Sequence, residues 1–219
     1  MLAATITAQG FPLLQLDDKV RFALQCMDDF DVQELAVVKD DYFLGLVQKA
    51  DLLDTDPSLA LMVLSDQFKK IMLLDTAHFL TALDLFSKHQ LSILPVLNEQ
   101  QECVGMIPQK SLNDALAKFL GVDVPGAIIV LSVAPYQYSL AEMSRLVESN
   151  NAQIVQLNSY YDETNGAMII TLKINKDEAQ AIIATFQRYD YQLVQYFGKT
   201  PLHNDIEAHY HHLMNYLDV

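Results

Sequence analysis

The chain has 219 residues, 51% of them apolar, and a formal net charge of −14. That is enough apolar material to bury a core without disulfide or metal staples. The acidity excludes a nucleic-acid polymer as partner, because binding a phosphate backbone requires a basic face to displace counterions. Divided at Gly121, the charge is 9 basic against 17 acidic residues and then 5 against 11, so neither half conceals a basic module.

Met1 to Gln15 is apolar, but no basic residue precedes its hydrophobic stretch, and Gln9 and Gly10 interrupt it well short of a membrane span. Neither a signal peptide nor a membrane anchor is expected. Cys26 and Cys103 are the only cysteines, which gives no disulfide framework and no metal-ligand spacing and predicts a cytoplasmic protein.

Downstream of the leader the chain repeats itself with a period of about sixty residues. In the first copy, residues 1–60, Val20, Ala23, Leu24, Met27 and Phe30 share the face of a helix that Asp17 or Asp18 would cap. Leu35 to Val38, the turn-like Lys39-Asp40-Asp41, Phe43 to Val47 and a short helical segment over Lys49 to Leu53 follow. The second copy, residues 61–121, has Phe79, Ala82, Leu83 and Phe86 on one helical face, then Ile93 to Leu97, a polar turn over Asn98 to Gln101, Cys103 to Ile107, and a helix through Leu112, Ala115, Leu116 and Phe119. Both copies read helix, strand, turn, strand, helix. Neither covers its apolar faces alone, so the two are expected to form one domain over residues 1–121.

Gly121 ends that last helix as a left-handed cap, and Asp123-Val124-Pro125-Gly126 reads as a linker. A second domain is expected over residues 126–198. Ala127 to Val133 is a strand, and Leu140, Met143, Leu146 and Val147 mark a helix with Ser139 and Glu142 as its capping box. Ile154 to Tyr160 and Met168 to Ile174 are strands joined by a hairpin at Asn165-Gly166. Ala179, Ile182, Ile183 and Phe186 share a second helical face, and Tyr191 to Phe197 is a closing strand. The order β-α-β-β-α-β is ferredoxin-like. In the remaining tail, residues 199–219, Ile206, Tyr210, Leu213, Met214 and Leu217 predict a short helix that docks on its own chain or on a partner subunit.

On these residues the first half resembles a tandem pair of cystathionine-β-synthase-type (CBS) domains. The resemblance is carried by Leu35-Ala36-Val37-Val38 with Gly45-Leu46-Val47-Gln48-Lys49-Ala50-Asp51, and by Leu94-Pro95-Val96-Leu97 with Gly105-Met106-Ile107-Pro108-Gln109-Lys110-Ser111. The second half is similar in element order to an ACT domain. The fold class implied is α/β (α+β): a CBS pair of tandem β-α-β-β-α repeats, followed by a ferredoxin-like ACT-type domain.

In CBS pairs that bind adenosine nucleotides, the motif carboxylate accepts hydrogen bonds from the ribose hydroxyls, and a Thr or Ser hydroxyl meets phosphate at a helix N-terminus, where amide donors and the dipole favour an anion. The resemblance therefore implies ligand-binding roles at Asp51, Gln48, Lys49, Lys110 and Ser111, with AMP, ADP, ATP or S-adenosylmethionine as regulatory ligand. The sequence departs from the pattern at three of these motif positions. Gln48 stands where the first hydroxyl belongs, Pro108 replaces the second and removes an amide donor, and Ser111 replaces the second carboxylate. The segment matching the amino-acid-binding turn of ACT domains, Ala134 to Ser139, has neither the Asp nor the Gly of that turn.

No catalytic motif occurs, and no metal site is expected. The C-terminal His203, His209, His211 and His212 lack a third ligand of fixed spacing and read as solvated or interface residues. Three functional readings remain open. The first is a non-enzymatic regulatory protein that senses an adenosine-containing ligand, the second a dimerising interaction module with degenerate sites, and the third an enzyme with an unrecognised site. A homodimer is expected on either of the first two.

Overall fold

The structure is a computed structural model and describes residues 1–199; the predicted tail helix and its histidines lie outside the described residues. The chain divides into two compact units, Met1–Lys118 and a second that begins at Phe119.

The first unit holds two copies of one element order. The first copy is β1 (Leu14–Gln15), α1 (Val20–Asp29), β2 (Glu34–Lys39), β3 (Tyr42–Gln48) and α2 (Lys49–Leu53). The second is β4 (Leu73–Leu74), α3 (Phe79–His89), β5 (Ile93–Leu97), β6 (Cys103–Pro108) and α4 (Gln109–Phe119). Each copy forms a three-stranded sheet in which the short first strand runs parallel to the second and the third antiparallel to it.

The registers repeat as well as the elements. Leu14 faces Val37 as Leu73 faces Val96. A β-bulge follows Val37 in one sheet and Val96 in the other, opposite Gly45 and Gly105. These two glycines have φ near +149° and +148°, and a Cβ on either would lie within 3 Å of a side-chain carbon of another segment, Phe68 or Thr7. Glycine is needed there both for backbone conformation and for close approach.

The leaders of the two copies are exchanged. Ala8 bonds in both directions to Met106 on β6, and Lys69 bonds in both directions to Leu46 on β3. Each third strand thus has its outer edge met by the leader of the other copy, which satisfies amides that an open edge would expose. One core runs through both copies and includes Leu14, Met27, Leu35, Leu52, Phe79, Ile93 and Leu94, all fully buried.

Two local expectations fail in α1. Neither Asp17 nor Asp18 caps it: the N-cap is Lys19 with no side-chain bond, Asp18 accepts from the Gln15 amide, and the first helical amides of Val20 and Arg21 donate to the carbonyls of Leu59 and Pro57. The segment linking the copies does the capping with its backbone. Phe30 also leaves the buried face, since it is the C-cap residue and meets the Phe11 ring at 5.5 Å.

The second unit contains β7 (Ile128–Val133), α5 (Leu140–Glu148), β8 (Ile154–Asp162), β9 (Ala167–Ile174), α6 (Gln180–Arg188) and β10 (Gln192–Phe197). The sheet order is β10-β7-β9-β8, all antiparallel, which is the ferredoxin-like arrangement. Ile129, Leu131 and Val133 alternate inward from β7 to meet Met143, Leu146 and Val147 of α5 and Ile182, Ile183 and Phe186 of α6 in a second core. The Ser139 hydroxyl accepts from the Glu142 amide as predicted, but the reciprocal half of the capping box is missing. Glu142 instead accepts from the Tyr191 hydroxyl at 3.0 Å. Leu140 is exposed rather than part of the helical face.

Candidate functional site

The five residues singled out from the sequence do not form one site. They fall at the starts of α2 and α4, equivalent places in the two copies. Aligning the glycines Gly45 and Gly105 puts Gln48 opposite Pro108 and Asp51 opposite Ser111, while Lys49 corresponds to Gln109 and Lys110 to Ala50. The two lysines are therefore not counterparts.

At the first start, β3 runs directly into α2 with Gln48 as the extended N-cap residue, and no side chain caps the helix. Asp51 sits half-buried in the first turn. Its backbone carbonyl accepts from the Thr55 hydroxyl at 2.8 Å, and its carboxylate bonds to no described residue. Lys49 does not face it as a free cation, because its ammonium lies 2.5 Å from an Asp28 oxygen on α1. Thr55, Asp56 and Pro57 follow at once, and α2 ends after five residues.

At the second start, α4 continues for eleven residues. Ser111, half-buried, lines an open cleft of about 550 Å³ together with Thr5, Thr7, Asp114 and Lys118. The threonine hydroxyls donate to the Leu2 and Ala3 carbonyls at 2.6 and 2.9 Å, which leaves their lone pairs to accept. Lys110 stands outside this lining and pairs with Asp114 at 3.3 Å, both groups well exposed. Such a pair contributes little to stability. Lys118 makes no ion pair among the described residues. Thr5, Thr7 and Lys118 carry no sequence signal of their own, since two come from an apolar leader and the third from the end of an amphipathic helix.

The polar residue most deeply placed between the two copies is Glu34, 1% exposed at the start of β2. Its Oε1 accepts from the Ser92 amide at 2.5 Å, the Ser92 hydroxyl at 3.0 Å and the Ile93 amide at 2.9 Å. The Ser92 hydroxyl also accepts from the Gln33 amide at 2.8 Å. Gln33 and Glu34 are the counterparts of Ser92 and Ile93, so one carboxylate ties the two copies at matching points.

Both cysteines are free. Among the described residues no group of three or more His, Cys, Asp or Glu side chains is arranged to hold a metal, and no helix is long and apolar enough to cross a membrane.

Residues 69–118 match the CBS domain family. A CBS domain pair/ACT domain protein from Thermotoga maritima is 27% identical, with a TM-score of 0.50 over 55% of this chain and 99% of its own. Hypoxic Response Protein I, solved with two coordinated zinc ions, is 19% identical with a TM-score of 0.45 over 52% of this chain and 98% of its own. CBSX2, solved in complex with AMP, is 17% identical with a TM-score of 0.46 over 54% of this chain and 97% of its own.

Proposed function

We propose, from the match of residues 69–118 to the CBS domain family and the copy of the same fold that precedes them, that the chain is a non-enzymatic, ligand-sensing regulatory protein in which the CBS pair binds an adenosine-containing ligand, AMP, ADP, ATP or S-adenosylmethionine. The second unit is read as an ACT-like module, and the protein as a cytoplasmic homodimer. The likeness to the Thermotoga CBS domain pair/ACT domain protein, over 55% of this chain, supports the paired CBS-type copies, and the free thiols fit a reducing compartment.

One observation carries the ligand reading. Asp51 keeps a half-buried carboxylate to which no described residue bonds, at the motif position where adenosine-binding CBS pairs meet ribose. A carboxylate can accept from two neighbouring hydroxyls at once, which water does less specifically. The cleft beside Ser111 supplies hydroxyls and the Lys118 ammonium but no unpaired carboxylate, so the two copies offer different chemistry to a ligand.

A thermal-shift titration with the four compounds tests this. A ligand at a hundredfold excess over Kd stabilises the native state by about 2.7 kcal/mol, a midpoint shift of roughly 5 to 11 °C for a chain of this size. Asp51→Ala abolishes the shift if the reading holds. The second reading, a dimerising interaction module, draws on Gln48 and Pro108 at the hydroxyl positions and on the engagement of Lys49 and Lys110 in ion pairs. No shift with any compound, together with a dimer by light scattering, selects it.

A further inference from the structure

The two candidate helix starts are joined to each other inside the first unit. The first amide of α2, that of Lys49, donates to the Gln33 carbonyl at 2.8 Å, and the first amide of α4, that of Gln109, donates to the Ser92 carbonyl at 3.1 Å. These bonds belong to the repeat, since Gln33 and Ser92 are counterparts that stand just before β2 and β5. The bridge between Gln33 and Ser92 does not. The Gln33 amide donates to the Ser92 hydroxyl at 2.8 Å, and that hydroxyl donates on to Glu34 Oε1 at 3.0 Å. The same oxygen accepts from the amides of Ser92 and Ile93.

An unbroken path therefore runs from the Lys49 amide through Gln33 and Ser92 to the Gln109 amide, with the Glu34 carboxylate clamping its middle. The clamp is one-sided, because Ile93, the counterpart of Glu34, has no polar side chain to reach back with. Hydrogen bonds tolerate only a few tenths of an ångström and weaken steeply off line. Glu34 is 1% exposed, so water does not readily replace a bond that opens there, and a donor stranded in such a place is costly. A displacement of the α2 start is then passed on to the α4 start more cheaply than it is absorbed between them.

We infer that Glu34 and Ser92 are positioning residues that couple the two helix starts, so that a ligand held beside Asp51 changes the affinity of the Ser111 cleft, and the reverse. The coupling of affinities rests on the ligand reading above; the coupling of positions does not. By linkage the effect on binding is reciprocal, typically about 5- to 150-fold.

The coupling of positions can be tested without ligand, by amide hydrogen exchange followed residue by residue by NMR in the full chain. Lys49→Pro deletes the amide at the head of the path, whereas Lys49→Ala keeps it; both lose the ion pair to Asp28. Proline suits the first position of a helix, and Gln48 before it is already extended, with φ −101° and ψ 145°. The expected result is exchange at Ile93 and Gln109 at least about fivefold faster in Lys49→Pro than in Lys49→Ala. Asp75, whose amide bonds Leu97 at the far end of β5, should be unchanged. On a Ser92→Ala background the difference at Gln109 should shrink, because the hydroxyl link is gone. Equal exchange in the two Lys49 variants overturns the inference. So does an acceleration as large at Asp75, which reports a general loosening, or a difference that survives Ser92→Ala intact. Should Lys49→Pro fail to fold, Gln109→Pro against Gln109→Ala runs the test in the other direction, read at the Gln33 and Lys49 amides. Because no ligand is present, a thermal titration without a shift counts against the ligand reading and not against the coupling, and equal exchange counts against the coupling alone.

Discussion

Removing the Glu34 carboxylate should unfasten the two CBS-type copies from each other. In Glu34→Ala the amides of Ser92 and Ile93 lose their acceptor at a site that is 1% exposed in the intact protein. Each stranded donor costs about 1–3 kcal/mol, and the lost bonds were to a charged acceptor, roughly twice as strong as neutral ones. A total of about 3–5 kcal/mol follows, in line with breaking a buried charged contact. For a unit of this size, at about 4 °C per kcal/mol, the midpoint falls by roughly 12–20 °C. Glu34→Gln keeps one acceptor oxygen and the shape, so it should lose only about 1–2 kcal/mol. The assay separates the units by their chromophores: the chain has no tryptophan, and nine of its ten tyrosines lie beyond Phe119. Far-UV circular dichroism follows both units, whereas tyrosine fluorescence follows the second. The expected result is a lowered dichroism transition with an unmoved fluorescence transition. A Glu34→Ala protein that melts within about 2 °C of the parent would refute the assignment of Glu34 as the tie.

Gly105→Ala and Gly45→Ala should each destabilise the first unit by about 2–5 kcal/mol, because a methyl group at a φ near +148° is strained and meets Thr7 or Phe68; urea denaturation measures it, and a change below about 0.5 kcal/mol contradicts the close approach. Asp51→Ala should leave stability within about 0.5 kcal/mol, since no described residue bonds the carboxylate, and thus separates a ligand-binding role from a structural one in the same denaturation experiment. The Tyr191 phenol is pushed up to about 12 by burial first, then by its hydrogen bond to Glu142 and that group's charge. Because the folded value exceeds the unfolded 10.0, the stabilisation is intact below pH 10 and is lost as pH rises through about 12. Relative to Tyr191→Phe the parent should lose stability between those pH values, and a gap constant across that window refutes the assignment.

What the sequence makes legible follows from periodicity. The duplicated helices and the long strands of both units show themselves because each buries one stripe or one alternate set of side chains, and that pattern is local. The two-residue strands β1 and β4 do not, since two residues carry no period; their existence depends on parallel pairing with Val37 and Val96. Capping fails for the same reason. The N-terminus of α1 is satisfied by carbonyls from Pro57 and Leu59, residues almost forty positions away, and Glu142 is drawn from its own helix start to Tyr191. In the candidate site the motif positions Gln48, Asp51, Pro108 and Ser111 are placed by the duplicated pattern together with its resemblance to CBS domains. That Lys49 is held by Asp28, and that Thr5 and Thr7 reach the second cleft, depends on tertiary placement, whereas the Lys110–Asp114 pair is a local contact one turn apart on α4. Glu34 was the largest omission. A glutamate beginning a strand reads as solvated, and only the meeting of the two copies turns it inward.

The exchange of leaders gives the duplication a consequence that a row of independent repeats would not have. Ala8 belongs by sequence to the first copy, yet its amide donates to Met106 at 2.7 Å and its carbonyl accepts from the same residue at 3.2 Å, both on the second copy's β6. Lys69 does the same for Leu46 on β3, at 2.9 Å in each direction. A proline at position 8 removes one donor and restricts the neighbouring backbone, at a cost of about 3 kcal/mol where the donor was bonded. The damage should therefore surface in a strand nearly a hundred residues downstream and spare the strands nearest in sequence. In native-state hydrogen exchange, which resolves such local openings, Ala8→Pro should speed exchange in peptides covering Cys103–Pro108 and leave Tyr42–Gln48 protected. Lys69→Pro should give the opposite pattern. If Ala8→Pro instead deprotects β3 and leaves β6 intact, the copies are sealed by their own leaders and the exchange is wrong. If the pattern holds, neither copy completes its sheet edge without the other, and any ligand that shifts one copy against the other acts on both sheets at once.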